Sequence, residues 1–414
     1  MVNVNIWSDI ADAQVLEGDC LEKMKTIPSN SIDAIITDPP YGIGFMGKKW
    51  DASVPALDWA LECLRVLKPG GHIVAFASTR TYHRLAVNLE DAGFQIRDML
   101  SWVYYSGFPK NLDISKQIDK AAGAEREVVG YQKLTGNAAL SLKEKGGTYA
   151  SNTNSKGVEP KQTPITKAAT EEAKRFEGYG TALKPAQEPA CLARKPIEKG
   201  LTVAQNVLKW GTGAINIDKC RFPFGDPCWI GDKERPKDEP LRPRGGSTGF
   251  GEVFSNSDSM SVIRYDVHSQ GRWPANLYQC PKASRTEREQ GLSHLTPISG
   301  GEAVNRAEGS PGINNARAGA NRTASNVSNF HPTVKPIKLF RWLCRLLGGE
   351  KGNLILDPFL GSGTTAVAAL LEGYNVIGCE REKCYIPIIH GRIEWAIQQY
   401  KLENAQLPLF GEAL

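Results

Sequence analysis

Ile32-Asp33-Ala34-Ile35-Ile36-Thr37-Asp38-Pro39-Pro40-Tyr41-Gly42 is the stretch on which the reading of the whole chain turns. Ile32 to Ile36 is an apolar run broken only by Asp33, short enough to be a buried parallel strand. The acid and the aromatic ring that follow emerge at that strand's C-terminal end, where open α/β sheets keep their ligands. Two successive prolines fix φ and remove two backbone donors, so the corner is stiff and extended, with the carbonyls of Asp38 and Pro39 left to accept from elsewhere. A rigid acceptor beside a π-face suits a planar base that carries an amino group.

Working outward, Val15 to Gly18 reads as a short strand ending at Asp19-Cys20, followed by a short helix from Leu21 to Ile27. Past Tyr41 comes a polar, glycine-rich loop, then apolar residues at helical period over 56–67. His72 to Ala77 is the next strand, Tyr82 to Ala92 the next helix, and Phe94 to Tyr105 reads as two strands in hairpin order. The resulting β-α-β-α-β-α-β-β pattern is a doubly wound sheet that lacks its first nucleotide-binding unit.

That unit lies at the other end of the chain. An amphipathic helix over 335–347 precedes the strand run Leu354-Ile355-Leu356 and the turn Asp357-Pro358-Phe359-Leu360-Gly361-Ser362-Gly363-Thr364-Thr365. An Ala/Leu-rich helix follows, then a strand from Asn375 to Cys379 ended by Glu380. Strand, glycine-rich turn, helix, strand and acid make a place for a nucleoside-bearing cofactor, the acid binding ribose hydroxyls. The turn is neither GxGxxG nor a P-loop, which disfavours a phosphate cradle. Asp357 would repel a pyrophosphate and welcome an amino acid's ammonium, a combination that favours S-adenosylmethionine. Taken alone, the fragment is equally readable as a tight strand-to-helix turn.

Composition is that of an ordinary soluble protein, with 41% hydrophobic and 23% charged residues over 414. No apolar run approaches the ~20 residues of a membrane span, and no basic segment followed by an apolar one opens the chain, so a cytoplasmic protein without a membrane partner is expected. The nine cysteines form no CxxC pair and no Cys/His cluster at zinc spacing, which points to free thiols and no metal. Lys plus Arg less Asp plus Glu is −3 for residues 1–110, +7 for 111–330 and +1 for 331–414. The basic middle suits a nucleic-acid partner and equally a solvated basic face. Its tracts 133–170, 231–262 and 295–328 have few apolar anchors and read as loops or partly disordered segments. Between them lie denser islands, among them Lys184-Pro185-Ala186-Gln187-Glu188-Pro189, the run 211–218 and Gly271-Arg272-Trp273-Pro274-Ala275-Asn276.

Asp38-Pro39-Pro40-Tyr41, the Asp357-Pro358-Phe359 turn with Gly361, Ser362 and Gly363, and His331-Pro332-Thr333-Val334-Lys335-Pro336 before it together resemble the motifs of the amino-methylating DNA methyltransferases of the N6-adenine and N4-cytosine family. Catalytic motif first and cofactor motif last, with a long insertion between, is similar to that family's β group, and the islands resemble those of phage and prophage members. The resemblance implies a circularly permuted, mostly parallel seven-stranded Rossmann-like methyltransferase sheet. Its expected parts are a catalytic half at 1–110, a loop-rich target-recognition insertion at 111–330 and a cofactor-binding half at 331–414.

By the same resemblance the cofactor is S-adenosylmethionine and the partner double-stranded DNA; a homodimer and a cognate restriction enzyme are further partners that it admits. Asp38, Pro39, Pro40 and Tyr41 are the expected catalytic residues. The Asp38 carboxylate and Pro39 carbonyl would accept hydrogen bonds from the exocyclic amine, and Tyr41 would stack on the flipped base. Asp357, Phe359, Gly361, Ser362, Gly363 and Thr364 are expected to line the cofactor, with Glu380 on its ribose and Asp19 and Cys20 at its adenine. Thr333, Lys335 and Pro336 resemble the segment flanking its methionine end. His331 receives no chemical role. Lys48, Lys49, Arg221, Arg272 and the 241–245 segment are basic enough for phosphate or guanine contact, and nothing in the sequence assigns them.

N4-cytosine methylation is the alternative chemistry; members of that kind more often carry Ser where Asp38 stands, so the sequence leans to adenine. A catalytically silent, cofactor-dependent DNA-binding protein is the alternative from another class, and the intact catalytic motif speaks against it. A glutamine-methylating enzyme would have Asn at position 38 and its cofactor motif first.

Overall fold

The computed structural model describes residues 3–6, 11–45, 49–107, 111–131, 164–223, 225–228, 271–299 and 326–405. Its strands are β1 (Asn3–Ile6), β2 (Ala13–Glu17), β3 (Ile32–Thr37), β4 (Leu67–Phe76), β5 (Gln95–Val103), β6 (Val128–Tyr131), β7 (Pro164–Thr166), β8 (Gln187–Arg194), β9 (Leu277–Gln279), β10 (Leu354–Asp357) and β11 (Asn375–Glu380). Its helices are α1 (Cys20–Met24), α2 (Leu57–Val66), α3 (Tyr82–Asp91), α4 (Ile114–Ala121), α5 (Glu171–Arg175), α6 (Val203–Trp210), α7 (Arg285–Glu289), α8 (Ile337–Leu347), α9 (Thr364–Leu371) and α10 (Ile386–Ala405).

Nine strands form one sheet in the order β1-β2-β11-β10-β3-β4-β8-β5-β9, and β6 with β7 forms a separate hairpin. Within the large sheet β1 and β8 run antiparallel to their neighbours and the remaining pairs are parallel. The mostly parallel, doubly wound α/β fold with permuted order is therefore present, with C-terminal β10 and β11 beside N-terminal β3. The expected count of seven strands is corrected to nine, because short β1 and β9 add at the two edges. Phe94 to Tyr105 is one strand and not a hairpin. Its antiparallel partner is β8, which pairs Gln187–Arg194 with Val103–Gln95 from far along the chain.

The boundary of the expected insertion also needs correction. β8 lies inside the sheet between β4 and β5, and β9 extends its edge, so parts of 111–330 belong to the central fold. The α7 segment serves that fold too. Glu287 Oε1 accepts the Ile337 N–H at 2.5 Å, Glu289 accepts the Ser328 N–H at 2.9 Å, and Arg288 donates to the His331 carbonyl at 2.8 Å. Those bonds set the path of the chain through Lys335 into α8. Of the tracts read as loops, residues 132–163, 229–270 and 300–325 lie outside the described residues, as do Lys48 and the 241–245 segment.

Side-chain alternation along the strands divides the core into two layers. Ala34, Ile36, Val74, Phe76 and Ile355 face the side covered by α8, α9 and α10; Ile35, Ile73, Ala75 and Leu356 face the side covered by α1, α2 and α3. Phe340 of α8 stacks on Phe76 with centroids 5.5 Å apart. Every residue of α9 is buried, which explains why its sequence is apolar all round.

At the point where the strand order reverses, register pairs Ile355 with Ala34 and Leu356 with Ile35. The ends of β10 and β3 are thus side by side. Thr37 Oγ1 donates to Asp357 Oδ1 at 2.6 Å, the Thr365 hydroxyl donates to Oδ2, and the Phe359 N–H reaches Oδ1 at 3.0 Å. Asp357 is buried, and burial pushes its carboxyl up to about 6 against those hydrogen bonds. A raised carboxyl favours the fold when protonated, and that contribution is lost as pH rises through about 6. Thr37→Val removes a donor from the ionised form. It is expected to lower the unfolding free energy by about 1–3 kcal/mol above that pH and by less well below it, in urea titrations at the two pH values. Equal losses at both would show that the bond does not serve the ionised carboxylate.

Candidate active site

Beyond Thr37 the chain turns through the two prolines and delivers Asp38 and Tyr41 to a cluster built from four further segments. Lys335 Nζ donates to Asp38 Oδ2 at 2.5 Å and to the Tyr41 hydroxyl oxygen at 3.0 Å, and it lies 3.2 Å from Glu188 Oε2. The Tyr41 hydroxyl lies 2.8 Å from Asp38 Oδ1 and 2.9 Å from Glu188 Oε2, so its one proton serves both carboxylates. Lys335 is 6% exposed, and its ammonium sits within 6 Å of the Tyr41, Phe76 and Trp102 ring centroids at 5.2, 5.3 and 5.8 Å.

The electrostatics follow from that crowding. Burial raises the Asp38 carboxyl, the neighbouring Glu188 raises it further, and Lys335 opposes both. Burial pulls Lys335 down, but Asp38 and Glu188 outweigh it and hold the ammonium above its usual range. Burial also pushes Glu188 up, and the ammoniums of Lys335 and Lys282 more than offset this, leaving it below the usual carboxylate range.

The loop after Tyr41 is organised by one buried carboxylate. Asp51 is 1% exposed and accepts the backbone N–H groups of Tyr41 at 2.6 Å, Gly42 at 3.0 Å, Ile43 at 3.3 Å and Phe45 at 2.7 Å. Such convergence on one acceptor fixes the backbone that carries the Tyr41 ring. Gly42 has φ +65°, and a Cβ there would stand 2.7 Å from the Val54 nitrogen.

A cavity of about 350 Å³ opens between this corner and the turn after β10. Asp19, Cys20, Asp38, Pro40, Thr333, Lys335, Asp357, Phe359, Gly361, Ser362, Thr364 and Glu380 all line it. Pro39, Tyr41, Pro336 and Gly363 are the candidate residues that do not. Pro336 caps α8 and Gly363 caps α9, the latter at φ +81°. Tyr41 packs against the core on the α8 side. The Asp357 carboxylate, expected to welcome an ammonium, is instead held by Thr37, Thr365 and the Phe359 N–H. Lys335, expected to flank the cofactor's methionine end, pairs with Asp38.

On the cofactor side, Glu380 accepts the Gly361 N–H at 2.8 Å and the Glu382 N–H at 2.7 Å. Burial pushes its carboxyl up to about 7, with Glu382 and Asp357 adding to the rise. Arg392 of α10 braces the turn from behind, donating to the Ser362 carbonyl at 2.7 Å and to Ser362 Oγ at 3.0 Å. His331 also lines the cavity. Its Nδ1 lies 3.1 Å from the Thr333 carbonyl, which only accepts, so the proton is on Nδ1. Burial holds this ring neutral, its pKa lowered to about 3. Nε2 lies 3.0 Å from where a Cβ would stand on Gly361, whose φ is +58°.

The wall opposite was not legible as a site in the sequence. Trp50, Val54, Pro55, Asp58 and Trp59 supply it, and the Trp59 and Phe359 rings lie 5.8 Å apart between centroids. Aromatic rings with carboxylates at Asp19, Asp58, Glu380 and Glu382 form a donor-accepting set that fits hydroxyls and an ammonium better than phosphate, so the lining fits S-adenosylmethionine. Glu188 was present in the sequence only as part of a proline-framed island without a role. Trp273 is 64% exposed, with the Arg221 guanidinium 5.2 Å from its ring centroid, and the Trp210 indole N–H donates to Glu198 at 2.6 Å. Eight of the nine cysteines are buried, and Cys384 is exposed. No described helix is long and apolar enough to cross a membrane.

A stretch of 109 residues is 32% identical to the type II methyltransferase M.HinfI of Haemophilus influenzae, covering 21% of this chain and 30% of that protein. The type II methyltransferase M.HindIII of the same species is 22% identical over 411 residues, covering 89% of this chain and 90% of that protein. Among solved structures, the M1.HpyAVI–SAM complex is similar at 17% identity and a TM-score of 0.39, covering 92% of this chain and 98% of that one. The family model for DNA methylases matches residues 32–391, most of the chain and both halves of the cavity. This chain belongs to the N6/N4 DNA methylase family, whose methyl donor is S-adenosylmethionine.

Proposed function

We propose that the protein transfers a methyl group from S-adenosylmethionine to the exocyclic N6 of an adenine turned out of double-stranded DNA. The observation that carries this reading is that the Asp38 corner and the Asp357–Thr365 turn, more than 300 residues apart, line one cavity. A carboxylate acceptor at one end and a nucleoside-shaped pocket at the other is what amine methylation needs. Asp at position 38 supports adenine over cytosine, whose enzymes in this family more often carry Ser there.

When bound, the cofactor supplies a methyl group on a sulfonium, an electrophile that needs a nucleophile in line with its sulfur–carbon bond. The chain's residues prepare that nucleophile. Asp38 accepts one amine hydrogen and the Pro39 carbonyl the other, which biases the nitrogen toward a tetrahedral form and aims its lone pair. Lys335 opposes the burial that raises the Asp38 carboxyl, which favours its acceptor form. As the nitrogen gains its methyl group it becomes acidic, and its extra proton passes to the Asp38 carboxylate. Glu380 takes the ribose hydroxyls, while Phe359 and Trp59 enclose the adenine end.

Two measurements test this. DNA modified by the purified protein, digested to nucleosides, is expected to contain N6-methyladenine, and Asp38→Asn to cut the rate by roughly a hundredfold or more. N4-methylcytosine without N6-methyladenine would overturn the base assignment. Ribose hydroxyls donate best to an ionised carboxylate, so cofactor binding releases the Glu380 proton and tightens with rising pH. By calorimetry Kd is expected to fall by up to about tenfold per pH unit below about 7 and to level off above it. The dependence should be absent in Glu380→Gln; a variant with the wild-type pH profile would take Glu380 off the ribose.

A further inference from the structure

We propose that Glu188 is a positioning residue of the transfer site: its carboxylate is a second anchor for the Lys335 ammonium and the Tyr41 hydroxyl, which lets Lys335 release Asp38 to the incoming amine without losing its counter-ion. This rests on the methyl-transfer reading and adds a residue to it.

Both Asp38 oxygens are engaged in the structure, Oδ1 by the Tyr41 hydroxyl at 2.8 Å and Oδ2 by Lys335 at 2.5 Å. An amine that is to be held by Asp38 competes with these donors. An ammonium as buried as Lys335 is costly to leave unpaired, so it can yield Asp38 only if another anion stands ready. Glu188 Oε2 is already within ion-pair distance at 3.2 Å, and it lies 2.9 Å from the Tyr41 hydroxyl. A small shift toward Glu188 satisfies both donors and frees Asp38.

Glu188 is well placed to stay still while they move. It sits on β8 between β4 and β5, opposite Trp102 in the register. The residues framing it are fixed: the Pro189 carbonyl accepts the Ala77 N–H at 2.9 Å, and the Ala186 carbonyl accepts the Tyr104 N–H at 2.9 Å. The groups facing the two carboxylates are Tyr41 after β3, Asp357 at the end of β10, Tyr104 after β5, Lys282 after β9, and Lys335 before α8.

Asp38 is followed by carbon-13 NMR of carboxyl-labelled aspartate, assigned by loss of its signal in Asp38→Asn. In Glu188→Gln, removal of the neighbouring negative charge is expected to shift the Asp38 midpoint to lower pH. The acid limb of the kcat profile should move with it, and kcat should fall roughly a hundredfold while cofactor Kd stays within about twofold. Glu188→Asp keeps the charge and is expected to retain the wild-type midpoint. An unmoved Asp38 midpoint in Glu188→Gln, a kcat loss without movement of the acid limb, or a shifted midpoint in Glu188→Asp would each overturn the proposal. A wild-type protein that transfers no methyl group to DNA would instead overturn the function proposed above, and the titration would still decide the place of Glu188.

Discussion

The hydrogen bond from Thr37 to Asp357 joins residues 320 positions apart at the point where the strand order of the sheet reverses. Each partner is the last residue of its strand, and each is followed by a proline-containing turn that faces the cavity. On one side the chain continues into Asp38 and Tyr41; on the other it continues into Phe359 and the glycine turn. The distance between the Asp38 corner and the Phe359 turn is therefore set by sheet register, which is rigid, and only secondarily by loops. A permuted chain keeps its site because the strands, and not their order along the sequence, define it.

The second constraint is electrostatic. A carboxylate buried between aromatic rings, as Asp38 is, tends to be neutral. Lys335 answers this by pairing with Asp38, and the cost of burying the lysine is offset by Glu188 on a third strand. The α7 helix, from the region expected to serve only target recognition, holds the segment that delivers Lys335. Four pieces of chain thus converge on one ammonium.

Much of this was legible in the sequence. The apolar runs of β3 and β10 are short and uninterrupted enough to be read as buried strands, and the turns after them carry residue types with few other uses. β8 was not legible as a sheet strand because Pro189 lies within it, a residue that argues against a central strand. Here the proline presents its carbonyl to Ala77 and the ladder tolerates it. Glu188 and Asp51 were missed for a related reason. Both act by long-range convergence, Glu188 on Lys335 and Tyr41, Asp51 on four backbone donors, and sequence spacing carries no signal for either. For Asp357 the sequence shows a carboxylate in a glycine-rich turn, and only the fold brings Thr37 to it.

A crystal structure with a non-reactive cofactor analogue and duplex DNA containing the target site tests the central claim most directly. The expected result is the exocyclic amine about 3 Å from an Asp38 carboxylate oxygen, with the analogue's nucleoside between Phe359 and Glu380. A base amine held away from Asp38, or an analogue seated outside the cavity shared by Asp38 and Phe359, would contradict it.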